Sequence, residues 1–336
     1  MTEARVRALV TDAHRLRQRQ DTGPHHHPVP ARGSHFVTLV KPEVLDADGA
    51  ADAMSEVVRV LGAGEADILR CALVPAGHFA ERRHLLLHYP RLHRVAADGV
   101  HALCTAARRE LRSLLDSSGA LGALGSFEAM TYDTALSPTV LDERCRRAGI
   151  HKLGSGSYAS VVESNGRPVV VLNGFLPALV GHYDHTTGLV GLVECHSLRE
   201  IDDLRTHLLG ALHPAAAAPD SLRGALHSLV ERRGSPSLSE GRNAVHLSAG
   251  HLEGMFQVWR YFSAADGQDI TSTALGRSLV DRGVSPTALM SLAGDHNLTG
   301  DSGETLAPHG ATEHLPRPEV LDLVGQWTAT GKEGEE

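Results

Sequence analysis

The chain opens with a polar stretch of helical character, "MTEARVRALVTDAHRLRQRQ", followed by "DTGPHHHPVPARG", whose prolines and glycines interrupt any regular element. Residues 1 to 34 therefore read as an N-terminal extension. "SHFVTLVKP" is the first firm strand, a β-rich run stopped at Pro42 that leaves Lys41 at its carboxyl end. "AADAMSEVVRVLGAG" has helical spacing and ends in glycine, "ADILRCALVP" is a second strand, and "GHFAERRHLLLHYPRLH" reads as a short helix carrying Tyr89. Between residues 97 and 116, Val100, Leu103, Ala107, Leu111 and Leu114 recur at spacings of three and four, the apolar face of an amphipathic helix. After a flexible break, "DSSGALGALGS", the run "GSYASVVESNGRPVVVLNG" predicts a hairpin turning at Asn165-Gly166, a dipeptide that accepts positive φ. "TGLVGLVECHS" is a further apolar strand and "LREIDDLRTHLLGAL" a helix. "EGRNAVHLS" is too short for periodicity to decide, but its apolar centre suits a buried strand. Past Gly250, the residues Leu252, Met255, Phe256, Trp259 and Phe262 form a helical stripe made to lie against a sheet. From residue 263 the chain turns polar, with weak helices at "TSTALGRSLVDRG" and "SPTALMSLAG", the second capped by Ser285 and opened by Pro286. The tail, "ATGKEGEE", reads as disordered, and no repeat of period 20 to 50 is evident.

Composition narrows the function classes. With 336 residues, 42% of them hydrophobic, the chain holds enough for one sizeable core and approaches the size at which chains divide into domains. A net charge of −8 and the lack of any Lys/Arg-rich block argue against a nucleic-acid partner. Cys71, Cys104, Cys145 and Cys195 lie far apart, with no C-x-x-C pair, which suits a reducing compartment rather than a disulfide framework. No apolar run approaches a membrane span, so a cytoplasmic protein with no membrane partner is expected. His25, His26 and His27 offer imidazoles, but adjacent rings without a supporting shell read as a solvated loop. His182, Asp184 and His185 likewise read as a surface turn rather than a metal site. "GSGSY" lacks the lysine and spacing of a phosphate-binding glycine loop, and no G-x-S-x-G elbow exists for a serine hydrolase.

Five blocks, taken in order, resemble the nucleoside diphosphate kinase family. "LVKPE" is similar to the family's strand-ending I-K-P-D, "LLLHY" to its H-Y, "GFLPALVGHYDHTTGLVGLVE" to its P-F-F-x-x-L-V and following strand, "LLGALHPAAAAPDSLRG" to its G-x-T-N-P and S-I-R-G segment, and "GRNAVHLSAG" to its G-R-N-x-x-H-G-S-D. Each block is weak, but five in family order are specific. The resemblance implies an α+β fold, a ferredoxin-like four-stranded antiparallel sheet with helices on one face, carrying an inserted α/β subdomain at about residues 92 to 173. The domain would then span 35 to 262, with a C-terminal extension over 263 to 336.

The resemblance also implies a chemistry. Phosphoryl transfer asks a protein chiefly to place a nucleophile in line and to neutralise charge on the phosphate oxygens. By resemblance His246 is the nucleophile, Lys41 and Asn243 stand with it, and Arg223, Arg205 and Tyr89 hold phosphate, while Phe175 and Leu179 clamp the nucleobase. Gln257 occupies the position of the glutamate that orients the histidine. The partners implied are ATP or another nucleoside triphosphate, Mg²⁺ carried on its phosphates, a small-molecule phosphate acceptor, and further copies of the chain in a homo-oligomer. Read without the resemblance, Lys41 caps a strand, Arg223 pairs with Asp220, and Phe175 and Leu179 are core. Departures from the pattern bear on efficiency: Thr206 stands at the second phosphate arginine with Arg205 one place off, Leu212 replaces a phosphate-binding threonine, Ala249 an aspartate, Gln257 a glutamate, and Glu240 a small apolar residue facing the base. These departures and the insertion leave open an enzyme of specialised metabolism using the same cleft on a different small molecule, or a non-catalytic nucleotide-binding protein.

Overall fold

The computed structural model describes residues 1–25, 27–184 and 187–329. His26, His185 and residues 330–336 of the tail, all subjects of expectations above, lie outside the described residues. The chain builds two compact units: Met1–Phe79, Thr186–Ala293 and Thr312–Glu336 form the first, Ala80–His185 and Gly294–Ala311 the second. Its strands, among the described residues, are β1 (Gln20–Asp21), β2 (Ser34–Val40), β3 (Asp67–Pro75), β4 (Ala123–Gly125), β5 (His151–Gly154), β6 (Ser157–Ser164), β7 (Arg167–Leu172), β8 (Leu189–Ser197), β9 (Val245–Leu247), β10 (Leu298–Thr299) and β11 (Thr305–Leu306). No helix among the described residues is long and apolar enough to cross a membrane.

The first unit is α+β, built on an antiparallel sheet of order β1-β3-β8-β2-β9. Phe36 pairs with Cys195 across β2 and β8, and Leu39 with His246 across β2 and β9. Every residue of β2 and β8 is buried, which requires cover on both faces of the sheet. On one face Phe36, Val40, Leu73 and Val193 pack with Val6 and Val10 of the helix Glu3–Leu16, Met54 and Val57 of Ala50–Ala63, and Leu226 of Leu222–Arg232. Toward the other, the helix His251–Val258 lies so close to β2 that a Cβ on Gly254 would stand 2.8 Å from the His35 carbonyl oxygen. The helix Ala274–Asp281 starts beside it, where the Ala274 N–H donates to His35 Nδ1 at 3.3 Å.

Two expectations are corrected by this arrangement. The sheet has a fifth strand, β1, and helices cover both faces rather than one. The added strand and the helices Glu3–Leu16 and Ala274–Asp281 come from the segments read as extensions, which are integral to the unit. Polarity misled because Ser34, His35 and Thr38 are polar yet buried, so β2 offers no alternation to mark its second covered face.

The second unit carries a four-stranded sheet, β4-β7-β6-β5, with β4 parallel to β7 and the other pairs antiparallel. The hairpin β6–β7 turns at Asn165 and Gly166, with φ of 50° and 73°, as that dipeptide predicts. The amphipathic helix begins at Thr105 rather than at residue 97, because Gly99–Ala102 winds as a 3-10 turn, and the expected flexible break contains β4. The Tyr89 segment is three short helices, Ala76–Glu81, His84–His88 and Pro90–Asp98, rather than one. Arg91 and Asp295 form a buried ion pair at 3.0 Å that ties Gly294–Ala311 into this unit. The second unit thus runs past the expected insertion at both ends and takes in Tyr89, Phe175 and Leu179.

Within the first sheet, Glu194 of β8 is a buried carboxylate receiving His35 Nε2 at 2.9 Å and His25 Nε2 at 3.3 Å. His35 Nδ1 accepts the Ala274 N–H, so its Nε2 bears the proton. His25 Nδ1 faces the His27 carbonyl at 2.8 Å, so both its nitrogens meet acceptors, as in an imidazolium. Burial alone would raise the Glu194 carboxyl, but the hydrogen bonds from His25 and His35 outweigh it and hold it at about 2. The bond to Glu194 raises His25, while burial lowers His35. A carboxyl held low in the folded state contributes stability that is complete above its unfolded value, about 4.5, and is lost as pH falls toward 2. The raised His25 contributes below about 6.5 and loses its contribution as pH rises through its folded value. Urea denaturation between pH 2.5 and 6 is expected to show an acid limb that Glu194→Gln flattens by about 3 kcal/mol.

Candidate functional site

The sheet edge formed by β2 and β9 gathers the chemistry of the first unit. Lys41 follows directly on β2, and its amide donates to the Ala244 carbonyl at 2.8 Å while Nζ donates to Asn243 Oδ1 at 2.7 Å. Both side chains are buried. The turn into β9 is tight: the Val245 N–H donates to the Asn243 carbonyl at 2.7 Å, and Ala244 between them has φ of 65°. A three-residue turn with positive φ at a non-glycine residue is strained, and such strain survives where the surroundings impose it. Here the Glu43 carboxylate accepts the Ala244 N–H at 3.1 Å and the Lys41 amide takes the Ala244 carbonyl, pinning the turn from both sides. The turn fixes the start of β9 and with it His246, whose side chain is 18% exposed.

His246 Nε2 lies 3.3 Å from Glu253 Oε1. That oxygen also accepts the Ala249 N–H at 2.9 Å and Gln257 Nε2 at 2.8 Å, both of them groups that only donate, so it is an acceptor and Nε2 carries the ring proton. A neutral ring then keeps its lone pair on Nδ1. Burial depresses the His246 pKa well below the ordinary histidine value, and the positive charges of Arg205, Lys41 and Arg223 depress it further, against an opposing pull from Glu313. The imidazole is therefore neutral at pH 7 and lies in the field of Arg205, Lys41 and Arg223.

Arg223 lies in the first turn of the helix Leu222–Arg232, whose N-cap Ser221 Oγ accepts the Gly224 N–H. Its Nη1 donates to the Gly210 carbonyl at 3.0 Å, and the side chain is buried. Arg205 reaches His246 through a change in helix winding. The helix expected at "LREIDDLRTHLLGAL" begins as Ile201–Asp203 and continues as a π-helical turn over Leu204–Leu209, which holds one residue more per hydrogen-bonded ring than an α-helix. Leu204, Leu208 and Leu209 stay buried, Thr206 faces solvent, and Arg205 turns inward, with Nη1 donating to the Ala249 carbonyl at 2.8 Å and to Glu313 Oε1 at 2.9 Å.

Sequence reasoning chose the wrong neighbour for the ring. Gln257 is buried in the helix His251–Val258, accepts from Ser248 Oγ at 2.6 Å and donates to Glu253, and it is Glu253 that meets His246. Glu253 sits one helical turn before Gln257, so the same helix face presents both, and that spacing is the signal that identifies it. Glu43 and Glu313 were missed as well. Glu43 is visible in "KPE", but Glu313 contributes from a segment 108 positions away from Arg205 and leaves no local trace. Leu212 is 55% exposed, which leaves no hydroxyl at the position of the family's threonine.

The remaining site residues belong to the second unit. Tyr89 is half-buried at a helix junction, edge-on to His88. Phe175 and Leu179 lie one helical turn apart, the Leu179 N–H donating to the Phe175 carbonyl at 3.1 Å, and Phe175 packs edge-on to Tyr158. Open depressions of about 730 Å³, lined by Arg94, Asp98, Glu128 and His296 among others, and about 660 Å³, beside Asp133, Arg144 and Arg147, also lie there. The first includes the imidazoles of His101 and His296, with Arg94 donating to His296 Nδ1 at 2.6 Å, and the second has none; neither joins an imidazole to a bonded carboxylate beside a buried lysine, so chemistry favours the His246 cluster. His182 and Asp184 end the helix Leu176–Asp184 instead of lying in a turn, and among the described residues no group of three or more His, Cys, Asp or Glu side chains is arranged to hold a metal ion.

No model of a known protein family matches the chain, and a search of curated proteins likewise finds no match.

Proposed function

We propose that the chain is a phosphotransferase resembling the nucleoside diphosphate kinases, in which His246 takes a phosphoryl group from a nucleoside triphosphate and passes it to a second phosphate-bearing acceptor. The observation that carries the reading is a half-buried neutral imidazole, its proton turned to Glu253, within the field of Lys41, Arg205 and Arg223. The strand order β3-β8-β2-β9, with the histidine on the last of the four, is also that of a ferredoxin-like sheet and supports the same kinship.

In this reading the Nδ1 lone pair attacks the γ-phosphorus in line. The bond from that phosphorus to the β–γ bridging oxygen breaks, and the departing diphosphate keeps the electron pair. Lys41, Arg205 and Arg223 neutralise charge on the phosphate oxygens, and Arg223 is suited to hold two of them at once. Positive charge that develops on the phosphorylated ring is offset by Glu253, which keeps its hydrogen bond to Nε2 throughout. Discharge runs in reverse: a terminal oxygen of the acceptor attacks phosphorus, the N–P bond breaks, and the neutral ring returns. A magnesium ion fits as a passenger on the nucleotide phosphates, since the carboxylates of the cluster, Glu253 and Glu313, already pair with His246 and Arg205.

Incubation with γ-labelled ATP tests the reading. Label on His246 that is acid-labile, base-stable and chased by CDP or GDP supports it; label chased only by another acceptor points to an enzyme of specialised metabolism; nucleotide binding without label points to a non-catalytic protein. The low His246 pKa adds a pH signature. An imidazole of ordinary pKa loses about three quarters of its neutral form between pH 7.5 and 6.0. The single-turnover labelling rate is instead expected to stay within about twofold over that range and to fall only in stronger acid. A half-maximum near pH 6.5 would contradict the cationic surroundings assigned to the ring.

A further inference from the structure

The segment that re-enters the first unit at Thr312 lies against the His246 loop. Gly250, at the start of the helix His251–Val258, is closely packed, and a Cβ there would stand 3.1 Å from both Glu313 Cα and the Thr312 carbonyl oxygen. Thr312 is fully buried, and the Glu313 side chain is only 12% exposed. Its carboxylate accepts from Arg205 Nη1 at 2.9 Å, and one residue on, the exposed His314 Nδ1 lies 2.8 Å from Asp202. The two contacts fall three residues apart on one helical segment, so the strand of chain from 312 to 314 clasps the stretch that presents Arg205.

We infer that Glu313 is a built-in occupant of an anion subsite on Arg205, a carboxylate standing where a substrate phosphate binds, so that phosphate and carboxylate compete for one guanidinium. The inference rests on the reading of Arg205 as a phosphate residue and adds a regulation to it. Carboxylate and phosphate present the same oxygen pair to an arginine fork, and the Arg205 side chain, 24% exposed, is partly desolvated and gains from an anion partner. The fork is also incompletely used: Arg205 Nε is buried and finds no hydrogen-bond acceptor among the described residues, while Nη1 serves both Glu313 and the Ala249 carbonyl. Two phosphate oxygens would satisfy Nε–H and an Nη together, which this carboxylate does not. The exposed His314–Asp202 pair closes the clasp with little hold of its own. Sequestering Arg205 in this way lowers apparent phosphate affinity by the fraction of molecules in which it is free.

Titration calorimetry with pyrophosphate and with MgATP tests this on four full-length proteins: wild type, Glu313→Gln, Arg205→Ala and the double variant. Gln keeps the shape of Glu313 and removes its charge, and a melting curve on each variant checks that the unit folds. Glu313→Gln is expected to bind pyrophosphate about tenfold tighter than wild type, and this gain should vanish when Arg205 is also Ala. His314→Ala, which loosens the clasp without touching Arg205, is expected to tighten binding about twofold. If Glu313→Gln binds no tighter while Arg205→Ala weakens binding, Glu313 is a structural partner only; the inference is then overturned and the proposed function stands. A gain that persists in the double variant overturns it too, since the carboxylate would then act by its general field. If no protein of the four binds either ligand, the inference and the proposed function fall together.

Discussion

His246→Ala is expected to lose phosphoryl labelling from γ-labelled ATP by about 10³-fold or more, with ATP binding retained within a few fold. The asymmetry follows from the geometry. Lys41 and Asn243 hold each other at 2.7 Å, Arg223 is bonded to the Gly210 carbonyl and Arg205 to the Ala249 carbonyl, and none of these contacts passes through the imidazole. The cations therefore remain to bind phosphate when the ring is gone. The ring is neutral at pH 7, so its removal relieves no charge repulsion and deletes a partly buried side chain with its hydrogen bond to Glu253; stability is expected to fall by about 1 kcal/mol. The readouts are acid-labile label on the intact protein, calorimetric ATP affinity and a melting curve, taken together. Label at the wild-type level in His246→Ala would end the phosphohistidine account whatever the affinities show. Loss of label together with loss of binding would make His246 a structural residue of the cluster.

Gly224→Ala is expected to destabilise the first unit by about 3 kcal/mol and to lower phosphate affinity by about 100-fold, an effect far beyond that of a glycine at an ordinary helix position. A Cβ at residue 224 would stand 2.0 Å from the Ala218 carbonyl oxygen and 2.7 Å from its carbon. That carbonyl has nowhere to go, because it already accepts the Ser221 N–H at 3.0 Å and the Ser221 hydroxyl at 2.6 Å. Moving it breaks the cap of the helix Leu222–Arg232, and Arg223, in the first turn, moves with it. Helix propensity alone would make alanine the better residue by about 1 kcal/mol, so the sign of the change separates contact from propensity. Urea denaturation and pyrophosphate titration on the same preparation measure both effects. Unchanged or raised stability would mean that the loop 217–221 yields, and that Arg223 is not held by this packing.

The glycine in "SLRG" is conspicuous as a letter, but its reason is a carbonyl six positions earlier, folded back over it. Much of the molecule divides in the same way. Elements set by neighbours in sequence were legible: Asn165-Gly166 turns the hairpin through two positive φ values, Ser285 caps the helix opened by Pro286, and Leu252, Met255, Phe256 and Phe262 are buried, although Trp259 of the expected stripe is only partly so and the helix His251–Val258 is covered nearly all round. The end of β2 at Pro42 was also legible, and with it the position of Lys41. Around His246 the outcome depended on winding and on distant partners. Whether Thr206 or Arg205 faces inward is decided by a π-turn that keeps Leu204, Leu208 and Leu209 buried together, and an assumed α-helical phase puts the wrong residue in place.

By itself the sequence determined the local elements and the charged residues available at the strand ends, because these follow from backbone preference and apolar spacing over a few residues, while the α+β unit with an antiparallel sheet was an expectation from the family resemblance alone. Tertiary structure alone decided that both sheet faces are covered by segments resembling loose extensions, that Glu253 rather than Gln257 meets the ring, and that Glu313 sits on Arg205. The physical reason is that burial and charge pairing are properties of what converges in space. A carboxylate 108 positions from its arginine obeys no local periodicity, and its contact is set by the packing of Thr312 and Gly250 rather than by any preference of its own.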